Sequence, residues 1–190
     1  VTAPPGGGKS RLRLEFLRRV EARPSYVELI MSRGDPLSAG SPLAMIARAL
    51  RSEAGILSGE PASVQQRKLR ARLGRRLGGD ALVRVTQLFA EMLRVPFEDT
   101  LTEPLRAARQ DPMLMADLLR AAWELWLGAE TAAGPVLLVL EDLQWGDRPT
   151  VQFVDAALRN LRDRPLMVLG LARPEIHVQF PALWADRDVQ

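Results

Sequence analysis

The spacing of apolar positions changes twice along this chain. Over residues 9–22, KSRLRLEFLRRVEA, the residues Leu12, Phe16, Leu17 and Val20 recur at helical intervals, which predicts an amphipathic helix. YVELIM, residues 26–31, follows Pro24 as a short β-prone run and reads as a strand, and SRGDPLSAGSP reads as the loop after it. A long helical stretch comes next. Ser41-Pro42 has the form of an N-cap with proline at the first helical position, opening a helix over PLAMIARALRSEAG. Residues 62–77 and 80–94 predict two more helices separated by a Gly-Gly-Asp turn. Thr102-Glu103-Pro104 and Asp111-Pro112 are further helix starts, and the helix over 112–130 is expected to carry Leu114, Leu118, Ala122 and Leu125 on its inner face. The second change comes at PVLLVL, residues 135–140. This run is short and continuously apolar, as in a strand buried on both faces of a parallel sheet. TVQFVDAALRNLR, 150–162, predicts a helix with Val151, Val154, Leu158 and Leu161 inward, and PLMVLGLA, 165–172, a second buried strand. Strand, helix and strand joined by short connections make a βαβ unit, so the expected class is α/β.

Composition narrows the chemistry. The chain has 190 residues, 47% hydrophobic and 26% charged, which suits one globular domain, and no boundary is expected within it. It has no cysteine and one histidine, His177, so disulfide, thiolate and multi-histidine metal chemistry are excluded. No apolar run is long enough for a membrane span and no signal peptide is visible, so a cytoplasmic protein without membrane contact is expected. The net charge of +3 says little about partners: only Lys9 and Lys68 are lysines, and most of the arginines are read as lying on solvated helix faces.

APPGGGKS, residues 3–10, matches the phosphate-loop pattern G-x-x-x-x-G-K-[ST] except that Ala3 holds the first position. Gly6, Gly7 and Gly8 let the backbone curl so that successive N–H groups face phosphate oxygens. The following helix adds the positive end of its dipole. Lys9 supplies a point charge for the β- and γ-phosphates, and the Ser10 hydroxyl is a ligand for Mg²⁺. The competing reading is a glycine-rich turn with a solvated lysine. Alanine at position 3 would restrict the loop if that position required a positive φ.

The second buried run ends in two adjacent carboxylates, Glu141 and Asp142. Ligands of open α/β sheets bind at the carboxyl ends of the strands, and paired acids there are costly without a cation or water to satisfy them. A nucleotide-hydrolysing site needs one acid to hold Mg²⁺ and another to orient the attacking water. Arg173 follows the next strand, at the same sheet edge and within reach of a γ-phosphate.

Together, APPGGGKSRL, VLLVLEDLQWGDRPTVQFVDAALRNL and VLGLARPE resemble the AAA-type, origin-recognition-like ATPase modules of bacterial STAND signalling proteins. GDPLSAGSPLAMIARALR and LRAARQDPMLMADLLRAAWE are most similar to the versions carried by large bacterial serine/threonine protein kinases. The resemblance implies a P-loop NTPase fold of the AAA (ASCE) type: a parallel sheet flanked by helices, with a helical insertion at about 41–130. It implies ATP and Mg²⁺ as cofactors. Pro5, Gly6, Gly7, Gly8, Lys9, Ser10 and Arg11 would bind nucleotide, and Ser10 and Glu141 would hold the metal. Asp142 would be the catalytic acid and Arg173 the sensor of the γ-phosphate. Two departures stand out: the family carries aspartate where Glu141 stands, and histidine where Gln144 stands. Only Val1 and Thr2 occupy the place of the strand expected before the loop, so the chain is read as a fragment whose first and last strands and nucleotide lid lie outside it.

The implied role is an ATP-dependent switch within a larger regulator, with the parent protein's other domains or a second copy as partners and no protein kinase activity in these residues. The alternative is a nucleotide-responsive interaction module that does not hydrolyse. RKLRARLGRR, 67–76, raises nucleic-acid binding, but Leu69, Leu73 and Leu77 mark one face as core and no aromatics interleave, so nucleic acid is not expected. Trp123 and Trp126 are expected in the core, Trp145 packing the loop beside the acids, and His177 at the surface.

Overall fold

A computed structural model of the chain describes residues 1–96, 102–181 and 183–184. In chain order its elements are α1 (Lys9–Glu21), β1 (Glu28–Arg33), α2 (Ala44–Glu53), α3 (Ala62–Leu73), α4 (Gly79–Leu93), α5 (Glu103–Ala108), α6 (Pro112–Ala133), β2 (Val136–Glu141), α7 (Arg148–Asn160), β3 (Leu166–Gly170) and α8 (Ile176–Gln179). They form two compact units, Val1–Ile46 with Gly134–Gln190, and Ala47–Ala133.

The first unit holds a parallel sheet of order β1-β2-β3. Strand β2 is central and buried along its length up to Glu141, as its unbroken apolar run requires. Leu137 and Val139 face α1, where Phe16, Leu17 and Val20 pack against them and Leu171. Leu12, expected on that face, is 49% exposed. Strand β1 starts two residues later than YVELIM suggested and runs on through Ser32 and Arg33. Tyr26 is exposed, its hydroxyl bonded to Glu28. Ser32 is buried but donates to the Met45 carbonyl at 2.7 Å, which makes a polar residue tolerable inside the strand. Strand β3 stops at Gly170 rather than 172.

Helix α7 is the crossover between β2 and β3, and it starts at Arg148, two residues before the expected position. Asp147 sets that start: its carboxylate accepts from the Thr150 amide at 2.8 Å and the Thr150 hydroxyl at 2.7 Å, with Pro149 in the first turn. Val154 is buried as expected, but Phe153, Ala156 and Ala157 complete the inner face, while Val151, Leu158 and Leu161 are half-buried. The same Asp147 displaces the predicted Ser41 cap. Helix α2 begins only at Ala44, after Leu43 at a φ of 59°, and the Leu43 amide donates to the Asp147 carboxylate at 2.8 Å. A cap supplied from 104 residues away has no local sequence signature.

The second unit is helical. Helix α3 ends at Leu73, short of 77, and turns at Gly74. Helix α6 starts as predicted, where the Asp111 carboxylate accepts from the amides of Met113 and Leu114 at 2.9 and 3.2 Å. Its inner face differs from the expected one. Leu114 and Leu125 are exposed, whereas Leu119, Ala122, Trp123, Trp126 and Leu127 are buried. The two indoles carry the largest apolar surfaces on the helix, and their burial sets its rotation. Phe89 of α4 meets Trp126 edge-on at 6.0 Å, and Trp123 stacks at a tilt 5.4 Å from Trp126.

The basic stretch of α3 buries Leu69, Leu73 and the following Leu77 as expected, yet one of its arginines is not solvated. Arg72 is buried and paired with Glu130 of α6 and with Glu53 of α2 at 3.0 Å. Its guanidinium carbon lies 5.4 Å from the centre of the Trp126 ring. Glu130 also accepts from Arg76 at 3.2 Å and from the Trp126 indole N–H at 3.0 Å. Burial alone would lower the Arg72 pKa. The hydrogen bond and charge of Glu130, then of Glu53, outweigh it and hold the guanidinium above its ordinary value.

Candidate functional site

The glycine-rich loop is anchored beside β3. The Val1 nitrogen donates to the Gly170 carbonyl at 2.7 Å, and Thr2 pairs with Ala172 in parallel fashion. The Ala172 amide donates to Val1 at 3.0 Å, and the Ala3 amide to Ala172 at 3.2 Å. The loop therefore springs from the same sheet edge that carries Arg173. Gly8 caps α1 at a φ of 83°, a conformation that side chains resist. Gly7 is required for a different reason: a Cβ there would stand 2.9 Å from the Ala3 Cβ and 3.0 Å from the Pro4 carbonyl oxygen. Ala3 itself is not among the residues with positive φ, so alanine at the first position puts no strain on the loop. The Lys9 ammonium donates to the carbonyls of Ala3 and Pro4 at 2.5 and 3.0 Å, folding across its own loop. Pro5, Gly6, Ser10 and Arg11 are exposed around it.

The two acids lie at the carboxyl end of β2. Arg33 at the end of β1 is the register partner of Glu141. Each acid has an arginine partner that the sequence did not single out. The Glu141 carboxylate accepts from Arg13 on α1, one helical turn after Ser10. The Arg13 Nε is buried with no partner among the described residues. The Asp142 carboxylate accepts from Arg33 at 2.7 Å. The i, i+3 spacing of Ser10 and Arg13 was a legible signal. Arg33 had none, because its meeting with Asp142 depends on the register of two strands 109 residues apart.

Asp142 occupies a left-handed conformation, with φ at 50°, where the chain turns out of β2. Gly34 permits that turn: its amide donates to the Glu141 carbonyl at 2.8 Å, and a Cβ on it would meet the Asp142 carbonyl oxygen at 2.4 Å. Trp145 packs against the same point, its Cβ 3.1 Å from that position. Burial works against ionisation of Asp142 and is the largest single influence on it. The hydrogen bonds from Arg33 and Gln144, with the charges of Arg33 and Arg173, outweigh it and hold the carboxyl below the usual aspartate range. Arg173 is half-buried at the end of β3, and its amide donates to the Gln144 side-chain oxygen at 3.0 Å.

The structure thus brings the loop, both acids and Arg173 to one end of one sheet. A separate cavity of about 380 Å³, lined by Phe16, Val20, Val27, Pro135, Leu166 and Met167, lies at the opposite, amino ends of the strands. The loop and acids suit a phosphate ligand and the cation that accompanies it: the glycine cradle excludes side chains, and the Glu141 carboxylate reaches Arg13, one turn into the helix the loop opens. No cluster of three or more potential metal-ligating side chains occurs among the described residues. Magnesium takes few protein ligands, all of them oxygens, and the Glu141 carboxylate and Ser10 hydroxyl are donors of that kind.

A glycine-rich loop opening a helix, beside a parallel strand ending in acids, defines an α/β P-loop NTPase. A family model described as an AAA ATPase domain matches residues 1–169, and the chain belongs to that family. No curated protein and no solved structure matches it. Family membership carries nucleotide binding and supports ATPase chemistry. Among the described residues no helix is long and apolar enough to cross a membrane.

Proposed function

We propose that this chain binds Mg·ATP in the loop 3–10, hydrolyses it slowly, and serves as the nucleotide-dependent switch of a larger bacterial signalling protein of the STAND class, of the kind attached to serine/threonine kinase domains. The carrying observation is convergence: the loop, Glu141, Asp142 and Arg173 meet at the carboxyl ends of β2 and β3. In this reading the amides of residues 6–11 and the Lys9 ammonium bind the phosphates, with Pro5 shaping the loop, once Lys9 leaves the Ala3 and Pro4 carbonyls. Ser10 and Glu141 hold the metal, which supplies charge neutralisation at the phosphate oxygens. Asp142 orients and deprotonates the attacking water, and Arg173 contacts the γ-phosphate. Positioning and charge account for the rate, with no covalent intermediate.

One observation favours the second reading, a module that binds ATP without hydrolysing it. Asp142 is already engaged by Arg33 and Gln144, which weakens it as a base. Calorimetry of Mg·ATP binding to the wild-type chain and to Lys9→Ala, with phosphate release followed on the same samples, separates the readings. The proposal expects binding that Lys9→Ala abolishes and turnover that Asp142→Asn abolishes. Binding without turnover selects the second reading, and equal binding by both proteins overturns the loop assignment.

A further inference from the structure

Gln144 is a buried polar side chain at this sheet edge that the reading above leaves without a task. It is 4% exposed, and its carboxamide is used at both ends. The oxygen accepts the Arg173 amide at 3.0 Å, and the nitrogen donates to Asp142 Oδ1 at 3.3 Å. Because the Arg173 N–H can only donate and the ionised carboxylate can only accept, the orientation of the carboxamide is determined by its neighbours. The backbone runs parallel to this bridge. The Leu143 amide donates to the Leu171 carbonyl at 3.1 Å, and the Leu171 amide to the Leu140 carbonyl at 2.8 Å. The turn after β2 and the turn after β3 are therefore tied by main chain, and Gln144 extends the tie to the acid itself.

We propose that Gln144 is a positioning residue that couples the Asp142 carboxylate to the Arg173 segment, so that the water-orienting acid and the phosphate-reading arginine hold one fixed relation. The role rests on the ATP-hydrolysing reading of the site. Asp142 has two arms: Arg33 holds Oδ2 at 2.7 Å and Gln144 holds Oδ1. The arginine arm is largely exposed, with 70% of its side chain open to solvent, whereas the glutamine arm is buried. One bond alone lets a carboxylate pivot, whereas the two arms together fix its plane, and a carboxylate free to rotate misdirects its lone pairs. A misplacement on the ångström scale costs on the order of a hundredfold in rate.

Two substitutions separate the halves of the bridge. Gln144→Met keeps the length and loses both bonds. Gln144→Glu keeps an acceptor for the Arg173 amide and loses the donor to Asp142. Hydrogen exchange of the Arg173 amide, read by NMR on nucleotide-free protein, should stay protected in wild type and Gln144→Glu and speed up about tenfold or more in Gln144→Met. Steady-state ATP hydrolysis should lose about ten- to a hundredfold in kcat in both variants, with KM within about twofold of wild type. If wild type turns over and both variants match it, the positioning role is overturned while the ATPase reading stands. An Arg173 amide equally protected in Gln144→Met overturns it as well. If wild type binds ATP without turnover, the hydrolytic reading fails by itself. The coupling is then decided by the ratio of ADP to ATP dissociation constants, which Gln144→Met should move toward one and which an idle Gln144 would leave unchanged. A wild-type chain that binds no nucleotide sinks both.

Discussion

At the scale of single residues, the acids of this site are defined by their arginine partners as much as by their position. Asp142 is held below its ordinary pKa despite burial, which opposes ionisation, because Arg33, Gln144 and Arg173 favour the charged form. A carboxyl depressed in the folded state adds stability that is fully present above its unfolded value, about 3.9. That contribution is lost as pH falls through the lower folded value. Arg33→Met should therefore lower the thermal midpoint above about pH 4 and leave it near wild type in stronger acid, where Asp142 is protonated in both proteins. Melting curves across that range check this, and a constant difference at all pH values would contradict it. The motif residues themselves were legible. Lys9, Ser10, Glu141 and Asp142 stand in patterns set by phosphate chemistry, and the structure gathers them at one sheet edge. Arg33 was not, since it meets its acid only through tertiary packing, and Arg13 showed only its helical spacing from Ser10.

Among elements, β2 was the most legible, because a strand buried on both faces leaves an unbroken apolar run. Helix ends were read less well wherever the capping group is remote. Asp147 caps α7 locally and also receives the Leu43 amide ahead of α2, so one buried carboxylate fixes two starts. Asp147→Ala would leave the Leu43 and Thr150 amides and the Thr150 hydroxyl without their acceptor. It should cost more than the ~1 kcal/mol of an ordinary cap, on the order of 2–4 kcal/mol. Asp147→Asn keeps an acceptor oxygen and should recover most of that loss, as urea unfolding of the two variants would reveal. Equal losses in the two would mean that charge, rather than the hydrogen bonds, is what Asp147 provides. The inner face of α6 was misjudged for another reason. Helical spacing allows several apolar stripes on so aliphatic a helix, and the bulk of Trp123 and Trp126 decides among them.

On the scale of the whole molecule, the two compact units have different kinds of interior. The sheet unit is held by aliphatic contacts, main-chain ladders and the hydrogen bonds that the buried Asp147 carboxylate accepts. The helical unit contains ionised groups at its centre, where Arg72 joins Glu53 and Glu130. Composition concealed this, because a count of arginines does not say which one is enclosed. Arg72→Ala should destabilise that unit by about 3–5 kcal/mol, since it leaves Glu130 buried with fewer partners. Replacing Arg72 with Met and Glu130 with Gln together should cost much less, and hydrogen exchange over residues 47–96 and 102–133 reports both effects. Equal protection in wild type and Arg72→Ala would assign the network no part in stability. The placement of the tryptophans has an optical consequence. Trp123 and Trp126 are sealed in the helical unit with no exposed surface, so their emission should stay blue-shifted and steady while that unit is folded. Trp145 is half-buried, beside Gly34 and three residues beyond Asp142. Its fluorescence makes it a built-in reporter on the acid turn, able to time events there without an attached dye.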